Sequence, residues 1–288
     1  MRFEVHVCGD PASDHLALCL HGFPEHAFSW RFQLPLLARL GMQAWAPNQR
    51  GYGATTRPRG VGAYRMERLL EDVAALVDAS GCRRLTLLGH DWGGAVAWFF
   101  AMRAVRPLER LVVMNLPHPL LMRRALRSNR AQRRRSRYAL FFQLPWLPEA
   151  LLRRRGAKAI GDAFRRMAVD PDRFPDEVLA VYRENALRPG ALTAMLNWYR
   201  AARRLRDEDF EPAQVHVPTL VVWGEQDAAL GVELLEGTDA LVDDLTVRRL
   251  PEVSHWVQQE APEKVNAILE AWLRGEEPPR YDVAPGPG

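Results

Sequence analysis

The residues of this chain that are best suited to chemistry lie around Asp91, in the stretch Gly-His-Asp-Trp-Gly-Gly at positions 89–94. An apolar run typical of a strand, Leu85 to Leu88, precedes it and a helical run follows, so Asp91 lies on a sharp turn. Gly89 and Gly93 let the two backbones cross closely, as in turns that present a nucleophile. A carboxylate needs no deprotonation before it attacks. We therefore expect it to form an ester by opening a bond between carbon and a leaving group.

A nucleophile on such a turn predicts a second acid and then a histidine further along the chain. Asp227 follows the strand-like run 220–223, and His255 follows the last strand-like run. Both lie where parallel strands end, which is where open α/β sheets bind their ligands. We expect His255 to activate a water that hydrolyses the ester on Asp91, and Asp227 to orient and stabilise the imidazolium. Glu225 is an alternative for the acid.

The loop His-Gly-Phe-Pro-Glu at positions 21–25 is where a second backbone approaches the predicted site. In this position the backbone N–H of Phe23 would serve an oxyanion hole, and the N–H of Trp92 would be the second donor. His21 is expected to brace the loop. His90 is expected to point away from the nucleophile.

Strand and helix patterns alternate along most of the chain, which predicts an α/β fold with a mostly parallel sheet covered on both faces. Apolar residues recur at helical spacing from Met66 to Val77, which predicts a helix packed on that sheet. A further helix is expected around Trp30 to Leu40. The predicted strands lie at 2–7, 16–20, 43–46, 85–88, 111–116, 219–223 and 246–250.

The alternation breaks between Pro117 and about Pro212, where the composition is helical and rich in Arg, Leu and Trp. We interpret residues 118–212 as an inserted helical lid. Residues 1–117 and 213–274 then form the core, and the Pro- and Gly-rich tail, 275–288, is expected to be disordered.

Composition agrees with an ordinary globular protein, with 48% hydrophobic and 26% charged residues among 288. No apolar run approaches the ~20 residues of a membrane span, and the N-terminus lacks the apolar region of a signal peptide. We therefore expect a cytoplasmic protein. The odd number and wide spacing of Cys8, Cys19 and Cys82 favour reduced core thiols over disulfides or a metal site.

Much of the basic excess is local, although the net charge is only +4. Such a run could bind nucleic acid or an acidic membrane. We favour a solvated helix face, because no aromatic residue is interleaved before Tyr138, and we expect no nucleic-acid partner. The run comprises Arg123, Arg124, Arg127, Arg130, Arg133, Arg134, Arg135 and Arg137.

These motifs together resemble the α/β-hydrolase superfamily and, within it, the soluble-type epoxide hydrolases. The resemblance covers nearly the whole chain. It implies hydrolysis of a small apolar epoxide by water to a vicinal diol, with no cofactor and no metal. The matching stretches are HGFPE at 21–25, RGYG at 50–53, GHDWGG at 89–94, NLPHP at 115–119, and the loops of Asp227 and His255.

The resemblance also implies two lid tyrosines that donate hydrogen bonds to the epoxide oxygen. Tyr138 begins Tyr-Ala-Leu-Phe-Phe-Gln-Leu-Pro, which resembles the first lid motif, and Tyr199 lies in Leu-Asn-Trp-Tyr-Arg, which resembles the second. Opening an epoxide near neutral pH expels a poorly leaving alkoxide, and a phenol with a pKa near ~10 can offset that charge. A single tyrosine in a helical lid would more often have only a packing role.

Some features depart from the family or leave alternatives open. The usual first strand is missing, because residues 1–7 match the second, so we expect about seven strands. A haloalkane dehalogenase would share the Asp nucleophile, but it needs halide donors where this chain has Phe23, and it needs no phenols. A fluoroacetate dehalogenase would need arginines after the nucleophile to bind the substrate carboxylate, and this chain lacks them. An esterase would need serine at position 91. A non-catalytic receptor on this fold is a further alternative, and a homodimer stays open.

Overall fold

The computed structural model describes residues 1–282 as a seven-stranded sheet with the strand order β1-β3-β2-β4-β5-β6-β7. The first strand pairs antiparallel with β3, and every other pairing is parallel. This confirms the predicted α/β-hydrolase architecture with seven mostly parallel strands. The strands are β1 (Val5–Cys8), β2 (His15–Leu20), β3 (Gln43–Pro47), β4 (Arg84–His90), β5 (Arg110–Met114), β6 (Thr219–Gly224) and β7 (Leu245–Leu250).

Helices cover the sheet and make up most of the connection between β5 and β6. Five pack around the sheet: α1 (Leu34–Arg39), α2 (Met66–Ser80), α3 (Trp92–Met102), α10 (Val257–Glu260) and α11 (Pro262–Leu273). Six lie in the segment interpreted as the lid, residues 118–212: α4 (Pro119–Ser128), α5 (Arg130–Arg135), α6 (Arg137–Phe141), α7 (Leu147–Met167), α8 (Asp176–Leu187) and α9 (Ala191–Ala202). Helix α7 is kinked at 154–157.

The central strands are buried on both faces, which explains why they read as continuous apolar runs rather than alternating ones. Along β2, Leu16 and Leu18 join a core on one face of the sheet, while Ala17 and Cys19 join a core on the other. This follows from the two-residue repeat of a strand. All three cysteines are free thiols, of which Cys19 is buried in the core while Cys8 and Cys82 are half-buried.

The helix expected at 30–40 is shorter and begins later. A short 3₁₀ helix at Ala27–Trp30 is followed by α1, with Pro35 in its first turn. Proline lacks an N–H and fits a helix only where that N–H would be free. The backbone of α1 therefore cannot extend back to Trp30.

The first part of the tail lies against the core, although disorder was expected from residue 275. Arg248 donates from Nε to the carbonyl of Pro278 at 3.0 Å and forms an ion pair with Glu277. Lys264 lies over the ring of Tyr281. The expectation of disorder for residues 283–288 concerns positions outside the described residues.

Membrane-spanning helices and metal-binding clusters are both absent from residues 1–282. No helix there combines the length and the apolar character needed to cross a bilayer. That part of the chain also contains no group of three or more His, Cys, Asp or Glu residues placed to hold a metal ion.

Glu260, the last residue of α10, joins the lid to the loop that carries His255. One carboxylate oxygen accepts the backbone N–H groups of Val169 and Asp170, both at 2.8 Å. The other accepts the N–H of Ser254 at 3.1 Å and also its hydroxyl. The residue is buried, so these protein donors replace water. A carboxylate can accept at both ends, whereas an amide can accept at only one.

Replacing Glu260 by Gln should therefore lower the free energy of unfolding by about 1–3 kcal/mol, because one pair of buried N–H donors would face an NH₂ group. Denaturant unfolding of the purified variant measures this change.

Glu263→Gln is the matched control, because exposed Glu263 also faces the lid, through Arg173 at 3.1 Å. Its effect should stay below about 0.5 kcal/mol, as for other exposed ion pairs. Equal losses in the two variants would contradict the role assigned to Glu260.

Candidate functional site

Asp91 lies in the sharp turn between the end of β4 and the start of α3. Its φ is 49°, a left-handed value that is costly for a residue with a side chain. A Cβ at Gly89 would collide with the backbone of Gly93, and one at Gly93 would collide with the carbonyl of Leu20. A Cβ at Gly22 would strike the Asp91 side chain itself. The glycines are therefore required for the close approach of β2, β4 and α3 around this carboxylate.

The backbone groups expected to form an oxyanion hole lie against the Asp91 carboxylate. The N–H of Phe23 donates to Oδ1 at 2.8 Å, and the N–H of Trp92 also interacts with the carboxylate. Burial raises the pKa of Asp91, whereas the charges of His255 and His90 and these two N–H groups act to lower it. The site thus combines a desolvated carboxylate with donors that favour its charged form.

His255 lies between the two acids that the sequence analysis assigned to it. Its Nδ1 lies 2.6 Å from Oδ2 of Asp227, and its Nε2 lies 3.6 Å from Oδ2 of Asp91. Glu225, the alternative for the acid, instead pairs with Arg249 at 2.5 Å. The geometry therefore favours Asp227 as the partner of His255.

Asn115 holds Asp227, a contact that the sequence analysis did not find. Its side chain donates to Oδ2 of Asp227 at 2.8 Å, and the N–H groups of Ala229 and Leu230 donate to Oδ1 at 2.7 and 2.9 Å. Burial acts to raise the pKa of Asp227, but His255 and these donors outweigh it and lower the pKa. Asp227 is therefore held as a carboxylate.

The two acids also set the protonation of His255. Burial acts to lower the pKa of this imidazole, but the charge and hydrogen bond of Asp227 and the charge of Asp91 outweigh it and raise the pKa to about 9. At neutral pH the resting site therefore contains an imidazolium beside the Asp91 carboxylate.

A second buried pair, Glu25 and His90, lies behind the site and was not assigned a role from sequence. His90 Nδ1 lies 2.7 Å from Glu25, and Nε2 lies 2.8 Å from the carbonyl oxygen of His255. The two ring nitrogens therefore face acceptor groups on opposite sides, a carboxylate and a backbone carbonyl. As expected, His90 does not hydrogen bond to Asp91. The signal was available in sequence: an acid in the HGFPE loop and a histidine next to the nucleophile.

Tyr199 lies on the inner side of α9 and packs on the residues around Asp91. Its ring centroid lies 4.9 Å from that of Trp92, 5.2 Å from that of Phe23 and 5.0 Å from that of Phe142. Burial raises the pKa of Tyr199 well above its usual value, and the charge of Asp91 acts in the same direction.

Tyr138 lies on α6, with its ring 6.0 Å from that of Tyr199 and 5.6 Å from that of Phe142. Although 40% of the residue is exposed, burial of its hydroxyl raises the pKa of Tyr138, and so does the charge of Asp91. The lid thus brings both phenols within electrostatic reach of the predicted nucleophile.

Comparison with known proteins identifies the family of this chain. A family model described as the alpha/beta hydrolase fold matches residues 18–262. The chain is 37% identical to "AB hydrolase superfamily protein YfhM" of Bacillus subtilis over 91% of each chain. It is 36% identical to "Epoxide hydrolase 3" of Xenopus tropicalis over 95% of this chain and 75% of the relative.

Solved structures give the same result. A Bacillus megaterium epoxide hydrolase crystallised with an inhibitor superposes with a TM-score of 0.84 at 28% identity, covering 94% of this chain and 96% of the other. Epoxide hydrolase A of Mycobacterium thermoresistibile gives a TM-score of 0.80 at 28% identity, covering 96% of each. The resemblance drawn from the motifs is thus confirmed, and this chain belongs to the α/β-hydrolase family and, within it, to the epoxide hydrolases.

Proposed function

We propose that this protein converts a small apolar epoxide to a vicinal diol through a covalent ester on Asp91. The observation that carries the proposal is an aspartate, rather than a serine, on the nucleophile turn, with a backbone N–H on one oxygen and His255 near the other. Family membership supports this reaction, but the proposal is argued from the groups in the site.

In the first step one carboxylate oxygen of Asp91 attacks an oxirane carbon. Oδ1 is held by the N–H of Phe23, so Oδ2 is the oxygen free to attack. The bond between that carbon and the epoxide oxygen breaks, and its electron pair goes to the oxygen. Tyr138 and Tyr199 stabilise this oxygen, and one of them supplies its proton. The products of the step are a hydroxyalkyl ester and a tyrosinate.

The raised pKa values of Tyr138 and Tyr199 suit them to this role. At neutral pH both phenols stay protonated while the site is empty, because burial and the negative charge of Asp91 oppose ionisation. Ester formation removes that negative charge. The cost of a transient tyrosinate is therefore lowest at the moment when the proton is transferred.

In the second step His255 activates water to attack the ester carbonyl. The charge of Asp91 helps to keep the pKa of His255 at about 9 in the resting site. Because the ester is neutral, this contribution is lost and the pKa falls. The imidazolium then gives its proton to the tyrosinate, which becomes a phenol again, and the neutral imidazole is available as a base.

The N–H groups of Phe23 and Trp92 then stabilise the tetrahedral oxyanion. As it collapses, the departing alkoxide takes the proton of the added hydroxyl, which releases the diol and restores the Asp91 carboxylate, and the proton that His255 took from water restores the resting imidazolium. The sum is addition of one water to one epoxide. No cofactor or metal enters the proposal.

The walls around the nucleophile support an apolar substrate. Rings of Phe23, Trp92, Phe142 and Tyr199 form a connected aromatic cluster over Asp91. Such rings bind apolar groups, while the two phenols supply the few directed hydrogen bonds.

Incubating the His255→Ala variant with an aryl epoxide should trap the ester, because alkylation does not need the base and hydrolysis does. Intact mass should increase by the whole mass of the epoxide, and peptide mapping should place the adduct on Asp91. The double variant Asp91→Asn/His255→Ala is the control and should gain no mass. An adduct that forms only with a bromoalkane would instead indicate a dehalogenase.

Adding Tyr138→Phe and Tyr199→Phe to the His255→Ala variant should abolish the epoxide adduct, because no acid remains for the departing oxygen. Removing such stabilisation commonly costs about 10²–10³ in rate for each donor. The His255→Ala parent, measured in parallel, is the reference for an intact nucleophile, and the circular dichroism spectrum is the control for an intact fold. Adduct formation at an unchanged rate would refute the role of the two tyrosines.

A further inference from the structure

One short segment of the lid carries five exposed apolar side chains, which together we call the apolar lid patch. Trp146 is 79% exposed and Leu140 is 62% exposed. Isolated exposed apolar residues are ordinary, but a contiguous group of large ones marks an interaction surface. The patch comprises Leu140, Leu144, Trp146, Leu147 and Leu151, all within a stretch of twelve residues.

The backbone under the apolar lid patch is held in place rather than frayed. Arg200 donates to the carbonyls of Phe142 and Leu144 at 3.0 and 2.7 Å and pairs with Glu149 at 2.8 Å. Trp146 has a φ of 48°, a costly value for an aromatic residue. The fold therefore presents this indole to the surroundings at a cost, which points to use of the surface.

The apolar lid patch lies among arginines that have no acidic partner. Between residues 119 and 158 the only acid is Glu149, which is already paired with Arg200. Three arginines of this stretch form ion pairs with Asp207 or Glu233. Within residues 1–282 no carboxylate pairs with the other exposed ones, which are Arg124, Arg130, Arg133, Arg134, Arg137, Arg153, Arg154 and Arg155.

We propose that the apolar lid patch and its arginines bind the surface of an anionic lipid membrane. Leucine and tryptophan side chains insert at the boundary between headgroups and acyl chains, and the guanidinium groups bind lipid phosphates. Neither feature spans the bilayer. In the free protein the arginines are solvated, as the sequence indicates. On binding, lipid phosphates replace the water around the guanidinium groups.

Charge argues against a second copy of the chain as the occupant. A twofold contact would place the same surface on both sides, so the unpaired arginines would face each other. With Glu149 already paired to Arg200, the stretch offers no free carboxylate to offset that repulsion. An anionic bilayer complements both the apolar and the basic parts.

The position of the patch relative to the site suggests what membrane binding would be used for; this part of the inference rests on the proposed function. Leu140 and Leu144 flank Phe142, and Phe142 packs on Tyr138 and Tyr199 above the site. The same lid segment thus faces the membrane on one side and the reacting groups on the other. Apolar epoxides partition into bilayers, so docking there raises their concentration at the lid.

Vesicle sedimentation of the full chain tests the binding without any substrate. The protein should sediment with vesicles of equal parts phosphatidylglycerol and phosphatidylcholine, and far less with phosphatidylcholine alone or at high salt. Trp146→Ser/Leu147→Ser should weaken binding roughly tenfold or more through lost apolar burial. Arg153→Gln/Arg154→Gln/Arg155→Gln should weaken it by about fivefold for each arginine, or roughly 100-fold in all.

Matched variants separate the patch from general effects. Val169→Ser removes an exposed apolar lid residue outside the patch, and Arg2→Gln/Arg59→Gln/Arg65→Gln removes three exposed charges elsewhere. Both should bind nearly as the parent does. Asp91→Asn should also bind normally, so a failure of the catalytic proposal would not be mistaken for a failure of this one.

Three results would overturn the inference: no sedimentation with anionic vesicles, equal binding by the patch variants and the parent, or equal binding to vesicles with and without phosphatidylglycerol. Self-association that Trp146→Ser abolishes, in place of vesicle binding, would assign the surface to a second copy.

Discussion

The structure depends on keeping one buried carboxylate charged. Burial alone would favour the neutral form of Asp91, and a neutral carboxyl group could not act as the proposed nucleophile. Two backbone N–H groups and two histidines oppose that effect. His90 and Trp92 are the sequence neighbours of Asp91, but Phe23 and His255 come from distant parts of the chain, so the full balance exists only when the sheet has assembled. The left-handed turn at Asp91 and the glycines around it are the local conditions for that assembly.

The supporting groups form layers around this carboxylate. Asp227 keeps His255 protonated in the resting site, and His255, together with Asn115 and the N–H of Leu230, keeps Asp227 ionised. Behind them, Glu25 and His90 fix the carbonyl of the His255 loop. Above them, the lid adds two phenols that respond to the same negative charge. A change of charge at Asp91 therefore alters the protonation of several groups at once, which is what the proposed two-step reaction requires.

Much of the fold could be predicted from sequence, because buried parallel strands are continuous apolar runs and the nucleophile turn needs glycines at fixed positions. Asp91, Asp227 and His255 could be ordered by the same logic. The contacts of Asn115 and Glu260 could not, because each depends on a distant loop that no periodicity reveals. The apolar lid patch was also missed, since leucines at helical spacing look the same whether they face a core or solvent. Only the packing of α6 and α7 distinguishes the two.

The most direct test of the covalent mechanism is a single turnover with enzyme in excess, carried out in water labelled with heavy oxygen. If Asp91 forms an ester that water hydrolyses at its carbonyl carbon, the label should enter the Asp91 carboxylate, and the diol of the first turnover should carry an unlabelled oxygen from the protein. Label found directly in the diol, with an unlabelled Asp91 peptide, would show that water attacks the epoxide itself and would contradict the account.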